Sequence, residues 1–433
     1  MTVIQSTDAV TEVKEWLSAY WNPDLTVGEW WERLGLSGWA APMLPETAYG
    51  KGLARSEVVR VQEAIAEFGA LPAPGGLGLL LAAPTIATHG TPEQQERYIR
   101  AIVTGQEAWC QLFSEPGAGS DLAGLATRAE KDGDEWIITG QKVWTSGGKQ
   151  ADLGMLLART NPDAPKHQGI TYFAFDMRQP GVEVRPLREM TGRALFNEVF
   201  INEARVSDAA IIGGVNNGWA VANTTLAFER AGLGAGGGSA AASTAIPGTI
   251  AGDLDKRVGD MVSARSRGGS GGPGGLSSGF KALSSLARQT DAHTDPGVRQ
   301  DLARLHTLGE IARYTALRQR ALRTTGGDIP GMGNIAKLSM SIMLRLSRDL
   351  SLRMLGARGM LHGYDTASNE ALNDLPGGPA AAALTEMALF AQAPQIYGGT
   401  DEIQHNILGE RVLGLPKEPS HDKTTPFRDL PRN

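Results

Sequence analysis

The stretch from Phe113 to Ser146 constrains the fold more than any other part of this sequence. It opens with a turn of small residues, Gly117 to Ser120, within the string SEPGAGSD. Runs of alternating apolar and polar residues follow, broken by the turn Asp132-Gly133-Asp134. Glycine and short hydroxyl side chains let a backbone approach a ligand closely while offering it amide and hydroxyl groups. The pattern predicts strands beside a turn, Gly117 to Ser120, that is either an ordinary connection between strands or a cradle for a cofactor.

Similar runs continue through the middle of the chain, from about residue 108 to residue 206. The predicted strands are Thr127 to Lys131, Trp136 to Trp144, Met155 to Arg159, Ile170 to Asp176, Val182 to Pro186 and Phe196 to Ile201. Turn residues such as Gln179-Pro180-Gly181 separate them, which is typical of an antiparallel β barrel or sandwich. No GxGxxG follows a strand and opens a helix, which argues against a Rossmann-type dinucleotide fold.

Helical spacing of apolar residues dominates on both sides of these strands. The predicted helices or helix starts are Glu29 to Leu34, Ser56 to Phe68, Thr91-Pro92, Ala220 to Gly232, Val298 to Thr324, Ile335 to Leu355 and Ala380 to Phe390. The glycine-rich stretch from about 232 to 285 is predicted to be a mobile surface loop. The expected α+β protein has a helical domain at 1–107, a β domain at 108–215, a helical domain at 216–419 and a frayed tail at 420–433.

Composition excludes several classes of protein. The net charge of -6 and the lack of a basic block argue against a nucleic-acid partner. The single cysteine, Cys110, excludes an intramolecular disulfide framework and fits a reducing compartment. No apolar stretch approaches the roughly 18 residues of a membrane span, and the first residues do not resemble a signal peptide. We therefore expect a soluble cytoplasmic protein.

The strings SEPGAGSD and AEKDGDEWIITGQKVWTSGG resemble the signature of the acyl-CoA dehydrogenase family, and the order of parts from about Leu25 to Pro419 is similar too. The resemblance implies a helical N-terminal domain, a central antiparallel β barrel and a C-terminal helical bundle. It also implies FAD-dependent α,β-dehydrogenation of an acyl-CoA thioester to the trans-2-enoyl-CoA, with electrons passed to an electron-transfer flavoprotein. In this family a neighbouring subunit completes each flavin site, which implies a homotetramer or dimer, or a heteromer with a homologous chain.

The resemblance also indicates where the catalytic base lies. Medium-chain and short-chain members carry a glutamate before the Gly-Thr of a Tyr-Glu-Gly-Thr turn, but here that position is Gly398, after Tyr397. Isovaleryl-CoA and long-chain members place the base on an earlier helix, immediately before an arginine. Glu229 and Arg230 match that place, so Glu229 is the expected base for the α-proton. The alternative is a surface glutamate paired with its neighbour.

The remaining site residues are carried over by position. Expected cofactor contacts are Phe113, Ser114, Ser120, Trp144, Thr145, Ser146, Arg288, Arg353, Gly356, Arg358, Gly359, Thr400 and Glu402. Expected substrate contacts are Ser120, Arg230, Tyr397 and Gly398. Without the flanking motif, Trp144 would be interpreted as an ordinary core residue of a strand.

Two departures from the family pattern keep other functions open. Ala357-Arg358 replaces the usual Gly-Asn, and the Phe-Gly that follows the family arginine is missing after Arg288. These changes suggest a flavin-poor partner subunit of a heteromeric enzyme as one alternative. An acyl-CoA oxidase or flavin oxygenase on the same fold is another.

Other polar residues are given structural roles. His306, His362 and His405 lack metal-like spacing and are expected on helix surfaces or in packing. Glu115 and Asp121 are interpreted as turn or helix-cap acids. No metal is expected.

Overall fold

A computed structural model of the protein describes residues 8–234, 245–267, 276–324, 327–374, 378–419 and 422–431. Three clusters of buried apolar side chains organise them. One joins the N-terminal helices to one face of a central β-sheet, a second covers the opposite face of that sheet, and a third lies among the C-terminal helices. The strands at residues 153–159 and 170–175 are therefore buried on both faces.

The N-terminal region is helical. Its helices are α1 (Ala9–Tyr20), α2 (Val27–Leu36), α3 (Arg55–Phe68), α4 (Ala83–His89), α5 (Pro92–Gln94) and α6 (Arg100–Val103), with π-helical turns at Gly78–Ala82 and Gln95–Ile99. The predicted start at Thr91-Pro92 is confirmed, because the Thr91 hydroxyl accepts a hydrogen bond from the Gln94 amide at 3.3 Å. Such a cap satisfies a backbone donor that the helix itself leaves unpaired.

The central region is a mixed sheet. Its strands are β1 (Trp109–Leu112), β2 (Arg128–Asp132), β3 (Glu135–Ser146), β4 (Leu153–Arg159), β5 (Ile170–Asp176), β6 (Val182–Leu187), β7 (Phe196–Ser207) and β8 (Ile211–Ile212). The six predicted strands are confirmed, whereas β1 and β8 were not predicted. The hydrogen-bonded order is β6-β7-β3-β2-β4-β5-β8, with β1 paired to β4.

The prediction of an antiparallel barrel or sandwich is only partly correct. In the described part of the chain the strand order ends at β6 and β8 without closing, so the sheet is open. Two of its pairings, β1 with β4 and β2 with β4, are parallel. Parallel strands need a long connection, and the cradle turn with β2 and β3 lies between β1 and β4 in the chain. The site region is therefore inserted between two parallel neighbours.

The C-terminal region is helical again. Its helices are α7 (Gly218–Gly234), α8 (Val258–Arg267), α9 (Leu276–Gln289), α10 (Pro296–Thr324), α11 (Met332–Leu355), α12 (Thr366–Asn373), α13 (Gly378–Phe390) and α14 (Asp401–Ile407), followed by a π-helical turn at Leu408–Val412. Short 3₁₀ turns occur along the chain at Glu46–Ala48, Leu122–Gly124, Asp208–Ala210, Ala292–Thr294, Gly356–Met360, Ala393–Gln395 and Phe427–Asp429.

The prediction of a loop over residues 232–285 is partly correct where the structure describes it, since residues 245–257 contain no helix and no named strand. Helix α8 and most of α9 fall inside that range, while residues 235–244 and 268–275 lie outside the described residues. Leu283 and Leu286 on α9 are buried in the C-terminal cluster, so their burial supports a helix beside glycine-rich neighbours.

The segment 422–431, which the sequence predicts to be frayed, is attached to the sheet. The Phe427 amide bonds the Ala164 carbonyl at 3.0 Å, and the Arg428 amide bonds the Pro162 carbonyl at 3.1 Å. The Phe427 ring lies 3.8 Å from the guanidinium of buried Arg159. Asp422 forms an ion pair with Lys166. This segment therefore covers the loop between β4 and β5.

No helix within the described ranges is both long and apolar enough to cross a membrane. Cys110 is fully buried as a free thiol, and burial raises its pKa to about 12. A neutral buried thiol of this kind is chemically inert.

Candidate active site

The small-residue turn directly follows β1 and is tightly folded. The amide of Glu115 bonds the Ala118 carbonyl and the amide of Ala118 bonds the Glu115 carbonyl, both at 3.0 Å. A Cβ built on Gly117 or Gly119 would meet nothing within 4 Å, so this turn borders open space. Ser120, at the end of the turn, is exposed. The predicted cradle is thus an accessible backbone surface.

Glu115 is not the turn or cap acid that the sequence suggests. Its carboxylate is buried and accepts hydrogen bonds from Lys142 Nζ at 2.8 Å and from the amides of Ala126 at 2.7 Å and Thr127 at 2.9 Å. Burial raises the pKa of this carboxyl, but the charge of Lys142 and these hydrogen bonds outweigh burial, and the pKa lies below its usual value. Lys142 Nζ also bonds the Phe113 carbonyl at 3.1 Å. The pair ties the cradle to β3.

Asp121 also differs from its predicted role. Its side chain makes no cap hydrogen bond to the following 3₁₀ turn. Instead it accepts from Lys166 Nζ at 3.0 and 2.9 Å. The cradle is therefore held on its other side by the loop between β4 and β5.

The end of β3 carries two unusual residues. Trp144 is 58% exposed and has a φ of 62°, where the strand pairing with β7 shifts register. A left-handed backbone is unfavourable for a bulky residue and usually marks a functional constraint. Thr145 is fully buried, and its Oγ1 has no hydrogen-bond partner among the described residues. Trp144 is therefore not a core residue, and Thr145 presents an unpaired hydroxyl, which is rare in folded proteins.

The two sequence motifs meet at this edge of the sheet. The Val143 amide bonds the Ser114 carbonyl at 3.0 Å, which places Phe113 and Ser114 beside the start of the Trp144–Ser146 segment. Phe113 is buried edge-on against Tyr172, with ring centroids 6.0 Å apart. Ser146 is exposed.

Helix α7 places Glu229 beside β1, the strand that leads into Phe113 and Ser114. Thr225, one turn before Glu229, is buried and bonds Thr85 on α4 at 2.9 Å, and Tyr172 on β5 lies 3.5 Å from it. Residues four apart share one face of a helix, so these contacts fix the face that carries Glu229. Gln111 Nε2, on β1, donates to Glu229 Oε2 at 3.3 Å.

Burial raises the pKa of the Glu229 carboxyl, and the hydrogen bond from Gln111 and the charge of Arg230 only partly oppose this. Burial also lowers the pKa of Arg230, with the Glu229 charge acting the other way and that of Arg411 adding to the decrease. Glu229 is thus a half-buried acid with a raised pKa, which is the property expected of a catalytic base near neutral pH.

The turn at Tyr397–Thr400 has no acid at the alternative base position. Gly398 and Gly399 have φ values of 63° and 79°, so both adopt the left-handed conformation that favours glycine. Tyr397 is half-buried and Glu402 is exposed. The Thr400 hydroxyl caps α14 by accepting from the Ile403 amide at 3.1 Å.

The other predicted cofactor residues lie on the C-terminal helices. Arg288 borders a depression of about 290 Å³ together with Phe280, His293, Arg299 and His306. Arg353 is paired with Asp295 at 2.8 Å and Asp301 at 3.7 Å. Gly356, Arg358 and Gly359 lie in the 3₁₀ turn after α11. Within the described ranges, no hydrogen bond or ion pair that we observe joins Arg288 or Arg353 to the cradle.

Two residues at the site were missed from the sequence. Gln111 and Lys142 are partners of Glu229 and Glu115, which lie 118 and 27 positions away in the chain. A lysine inside the otherwise strand-like string GQKVW was the available signal for Lys142. His362 bonds the Thr191 carbonyl at 3.0 Å, and the described residues hold no cluster of three potential metal ligands.

Comparison with known proteins identifies the family. The models for the N-terminal, middle and C-terminal domains of acyl-CoA dehydrogenase match residues 8–106, 110–204 and 264–413. Acyl-CoA dehydrogenase IpdE1 of Mycobacterium tuberculosis is 37% identical over 392 residues, which span 90% of this chain and 88% of that protein. The chain belongs to the acyl-CoA dehydrogenase family. It is an oxidoreductase with acyl-CoA dehydrogenase activity.

Solved structures resemble this acyl-CoA dehydrogenase along most of its length. The Tcur3481-Tcur3483 steroid ACAD G363A variant has 25% identity and a TM-score of 0.67, covering 95% of this chain and 99% of that one. The ChsE4-ChsE5 complex from Mycobacterium tuberculosis has 24% identity and a TM-score of 0.65, covering 96% and 100%. The second likeness concerns the fold alone.

Membership of this family implies a flavin cofactor, and the residues of this acyl-CoA dehydrogenase fit one. A flavin has a flat ring with polar edges. The exposed Trp144 ring offers a surface for stacking, and the buried Thr145 hydroxyl has an unused hydrogen-bonding capacity. The open space beside Gly117 and Gly119 leaves room for backbone contacts.

Proposed function

We propose that this enzyme converts a saturated acyl-CoA thioester into its trans-2-enoyl-CoA, with Glu229 removing the α-proton. Bound FAD would supply the redox chemistry by accepting the hydride from Cβ. The observation that carries this proposal is the position of Glu229. Its carboxyl is partly buried, has a raised pKa and is bonded to β1, the strand that leads directly into Phe113 and Ser114.

The alternative base position supports the same assignment. Gly398 has no side chain, and its φ of 63° would be strained for a glutamate. Arg230 follows Glu229 on α7, and its charge acts on the Glu229 carboxyl, which favours the ionised form of the base. A positive group here would also suit the polar end of the thioester.

The cradle residues have separate roles in this proposal. Phe113 and Ser114 would border the ring system of the cofactor, Trp144 would cover it, and the hydroxyls of Thr145 and Ser146 would meet its polar edge. Ser120 would contact the CoA portion of the substrate. Thr400 and Glu402 would lie toward the adenosine end of a cofactor, and Arg288, Arg353, Gly356, Arg358 and Gly359 would face a cofactor shared with a neighbouring subunit.

The substitution Glu229→Gln tests the base. Flavin should remain bound, while dehydrogenation falls by about 10²- to 10⁴-fold, the usual contribution of a positioned base. Anaerobic bleaching of the flavin band by acyl-CoA measures the half-reaction. Glu198→Gln is the matched control, since Glu198 also accepts from a strand glutamine, Gln141 at 3.2 Å, but lies elsewhere on the sheet. Near-wild-type turnover in Glu229→Gln would refute the base assignment.

The acyl group is proposed to be bulky. With Gly398 in place of a side chain, the turn at Tyr397–Thr400 occupies less space than a glutamate-bearing turn would. One structural relative is described as a steroid ACAD. A panel of straight, branched and polycyclic acyl-CoAs should show the fastest bleaching with a polycyclic thioester. Faster bleaching with a straight medium chain would contradict this part of the proposal.

Assembly with a homologous chain is also proposed, because an exposed apolar patch lies beside the shared-cofactor residues. Met360 and Leu361 are 83% and 47% exposed and directly follow Gly359. Tyr364 and Met190, exposed by 57% and 61%, adjoin through a hydrogen bond of 3.4 Å from the Tyr364 hydroxyl to the Met190 carbonyl. One structural relative is a complex of two named chains.

The spectrum and mass of the purified chain separate the forms of assembly. A yellow dimer or tetramer made from this chain alone would indicate a homo-oligomer. A colourless chain that gains flavin only on co-expression with a homologous chain would indicate a heteromer. Leu361→Asp should weaken either assembly, whereas Leu36→Asp, on the exposed side of α2, should not.

Rapid oxygen consumption with peroxide release would favour an oxidase over a dehydrogenase that uses an electron-transfer flavoprotein.

A further inference from the structure

Gln111 is a polar residue on an apolar face. Its strand, β1, alternates between two clusters: Cys110 and Leu112 lie in the cluster on one side of the sheet. Trp109 and Phe113 lie in the cluster on the other side, with the N-terminal helices. Gln111 shares the face of Trp109 and Phe113 because alternate residues of a strand point the same way. An apolar residue would pack more favourably at such a position, since a buried amide costs free energy unless it is bonded.

The amide of Gln111 is directed at the proposed base. In the described part of the chain, the hydrogen bond that its side chain donates goes to Glu229 Oε2, at 3.3 Å. Arg230 cannot replace this contact, since successive residues of a helix point in different directions. Gln111 comes from a separate element, a strand that is paired with β4 from Trp109 to Leu112 and is therefore fixed in position. A rigid donor is what a flexible glutamate side chain needs to be held in one orientation.

We propose that Gln111 is a positioning residue that holds Oε2 of Glu229 through its amide N–H and leaves Oε1 directed at the substrate as the proton acceptor. This inference rests on the proposed role of Glu229 as the base. Gln111 itself takes no proton. It orients the carboxylate and favours the charged form that accepts the α-proton.

Other groups near α7 do not serve this purpose. Arg230 acts on Glu229 by charge, and Arg411 acts on Arg230. On the elements packed against α7, His89 of α4 bonds Thr224 at 2.8 Å, and Tyr172 of β5 faces Thr225. Lys337 of α11 pairs with Asp401 at 2.7 Å. His89, Tyr172 and Lys337 therefore each have a partner other than Glu229.

The substitution Gln111→Met tests the proposal, because methionine keeps the length of the side chain and removes the donor. Gln141→Met is the matched control, since Gln141 also lies on a strand and donates to a glutamate, Glu198, at 3.2 Å. The first readout is the pKa of the Glu229 carboxyl in the resting protein. It is measured by infrared difference titration, and the spectrum of Glu229→Gln assigns the carboxyl band. Loss of the donor should raise this pKa by about one unit, a tenfold change in the protonation equilibrium.

The second readout is the pH profile of the reaction. In Gln111→Met the acid limb of kcat/KM should move to higher pH by the same amount, and kcat should fall while KM for the acyl-CoA stays near the wild-type value. If Gln111 had only a structural role, its loss would lower the stability of the protein without moving the Glu229 pKa or the acid limb of kcat/KM. An unchanged Glu229 pKa and acid limb in Gln111→Met, as in Gln141→Met, would overturn the proposal.

A second variant covers the case in which Gln111→Met does not fold. Gln111→Glu keeps the shape of the side chain but places two carboxyl groups together, so they share one proton and the apparent pKa of the pair rises further. An unchanged titration would again overturn the proposal. The infrared readout needs no turnover, so it separates failure of this inference from failure of the base assignment, which the activity of Glu229→Gln decides.

Discussion

Replacing Glu115 with glutamine should destabilise the cradle strongly, because it breaks a buried ion pair. Lys142 has no exposed surface and Glu115 has 8% of its side chain exposed, so water cannot compensate either charge. The carboxylate also accepts two backbone hydrogen bonds, from Ala126 at 2.7 Å and Thr127 at 2.9 Å. A glutamine amide would turn its NH₂ group toward one of these donors. Removing one partner of a buried pair costs about 3–5 kcal/mol, and we expect a loss in this range.

The measurement should be local, because a chain of several domains does not unfold in one step. Hydrogen exchange of peptides covering β2 and β3 reports the opening of the sheet around Lys142. The expected loss corresponds to protection that falls by about 10²-fold or more, since 1.36 kcal/mol equals a factor of ten. The matched control is Glu183→Gln, whose partner Arg185 lies at 2.7 Å on β6 with both side chains exposed, so its loss should leave the protection of β2 and β3 unchanged.

The pH dependence gives an independent check. The folded pKa of Glu115 lies below its ordinary value of 4.5, so its contribution is fully present above pH 4.5 and is lost as pH falls through the lowered folded value. Wild type and Glu115→Gln should therefore converge in acid. The double variant with Lys142→Met should cost less than the sum of the two single changes. A cost below about 1 kcal/mol for Glu115→Gln at neutral pH would refute the argument from burial.

Three further outcomes are expected. Thr145→Val should stabilise the flavin-free protein by about 1–3 kcal/mol in thermal melts, because it removes an unpaired buried hydroxyl. The same change should weaken flavin binding, and tighter binding would contradict the proposed role of this hydroxyl. Phe427→Ala should lower the free energy of unfolding by about 1–2 kcal/mol and speed proteolysis of the loop between β4 and β5, since Arg159 loses the ring 3.8 Å away. An unchanged rate of proteolysis would show that the ring does not anchor this loop. Because burial raises the pKa of Glu229, its ionised form costs stability, so Glu229→Gln should melt above wild type at pH above that pKa and equally at pH below 4.5.

The sequence predicted the elements whose periodicity is regular and missed those that depend on distant partners. Ile170 to Asp176 is predicted as a strand and is β5 with the same bounds. In contrast, β1 has four residues and is defined by parallel pairing with β4, far along the chain. Helix α8 lies between two glycine-rich stretches and α9 directly follows the second, so the composition indicates a loop there, although buried leucines hold α9 in place.

The candidate site shows the same division. Family motifs indicated Glu229, Phe113 and Trp144, because each lies within a recognisable string. They could not show that Trp144 is exposed with a left-handed backbone, which results from a register shift against β7. The role of Gln111 could not be predicted from the sequence for a similar reason, since it depends on a hydrogen bond to a carboxylate 118 positions away.

The contact between Phe427 and Arg159 determines when, during synthesis, the loop between β4 and β5 can complete its packing. The guanidinium bonds the carbonyls of Ala123 at 2.6 Å and Leu125 at 3.2 Å, so it holds the stretch that follows the cradle turn. Phe427 is synthesised after all the helices of the C-terminal region. During translation the β domain therefore emerges with this cation uncovered, and its loop reaches its final packing only after the third domain has left the ribosome.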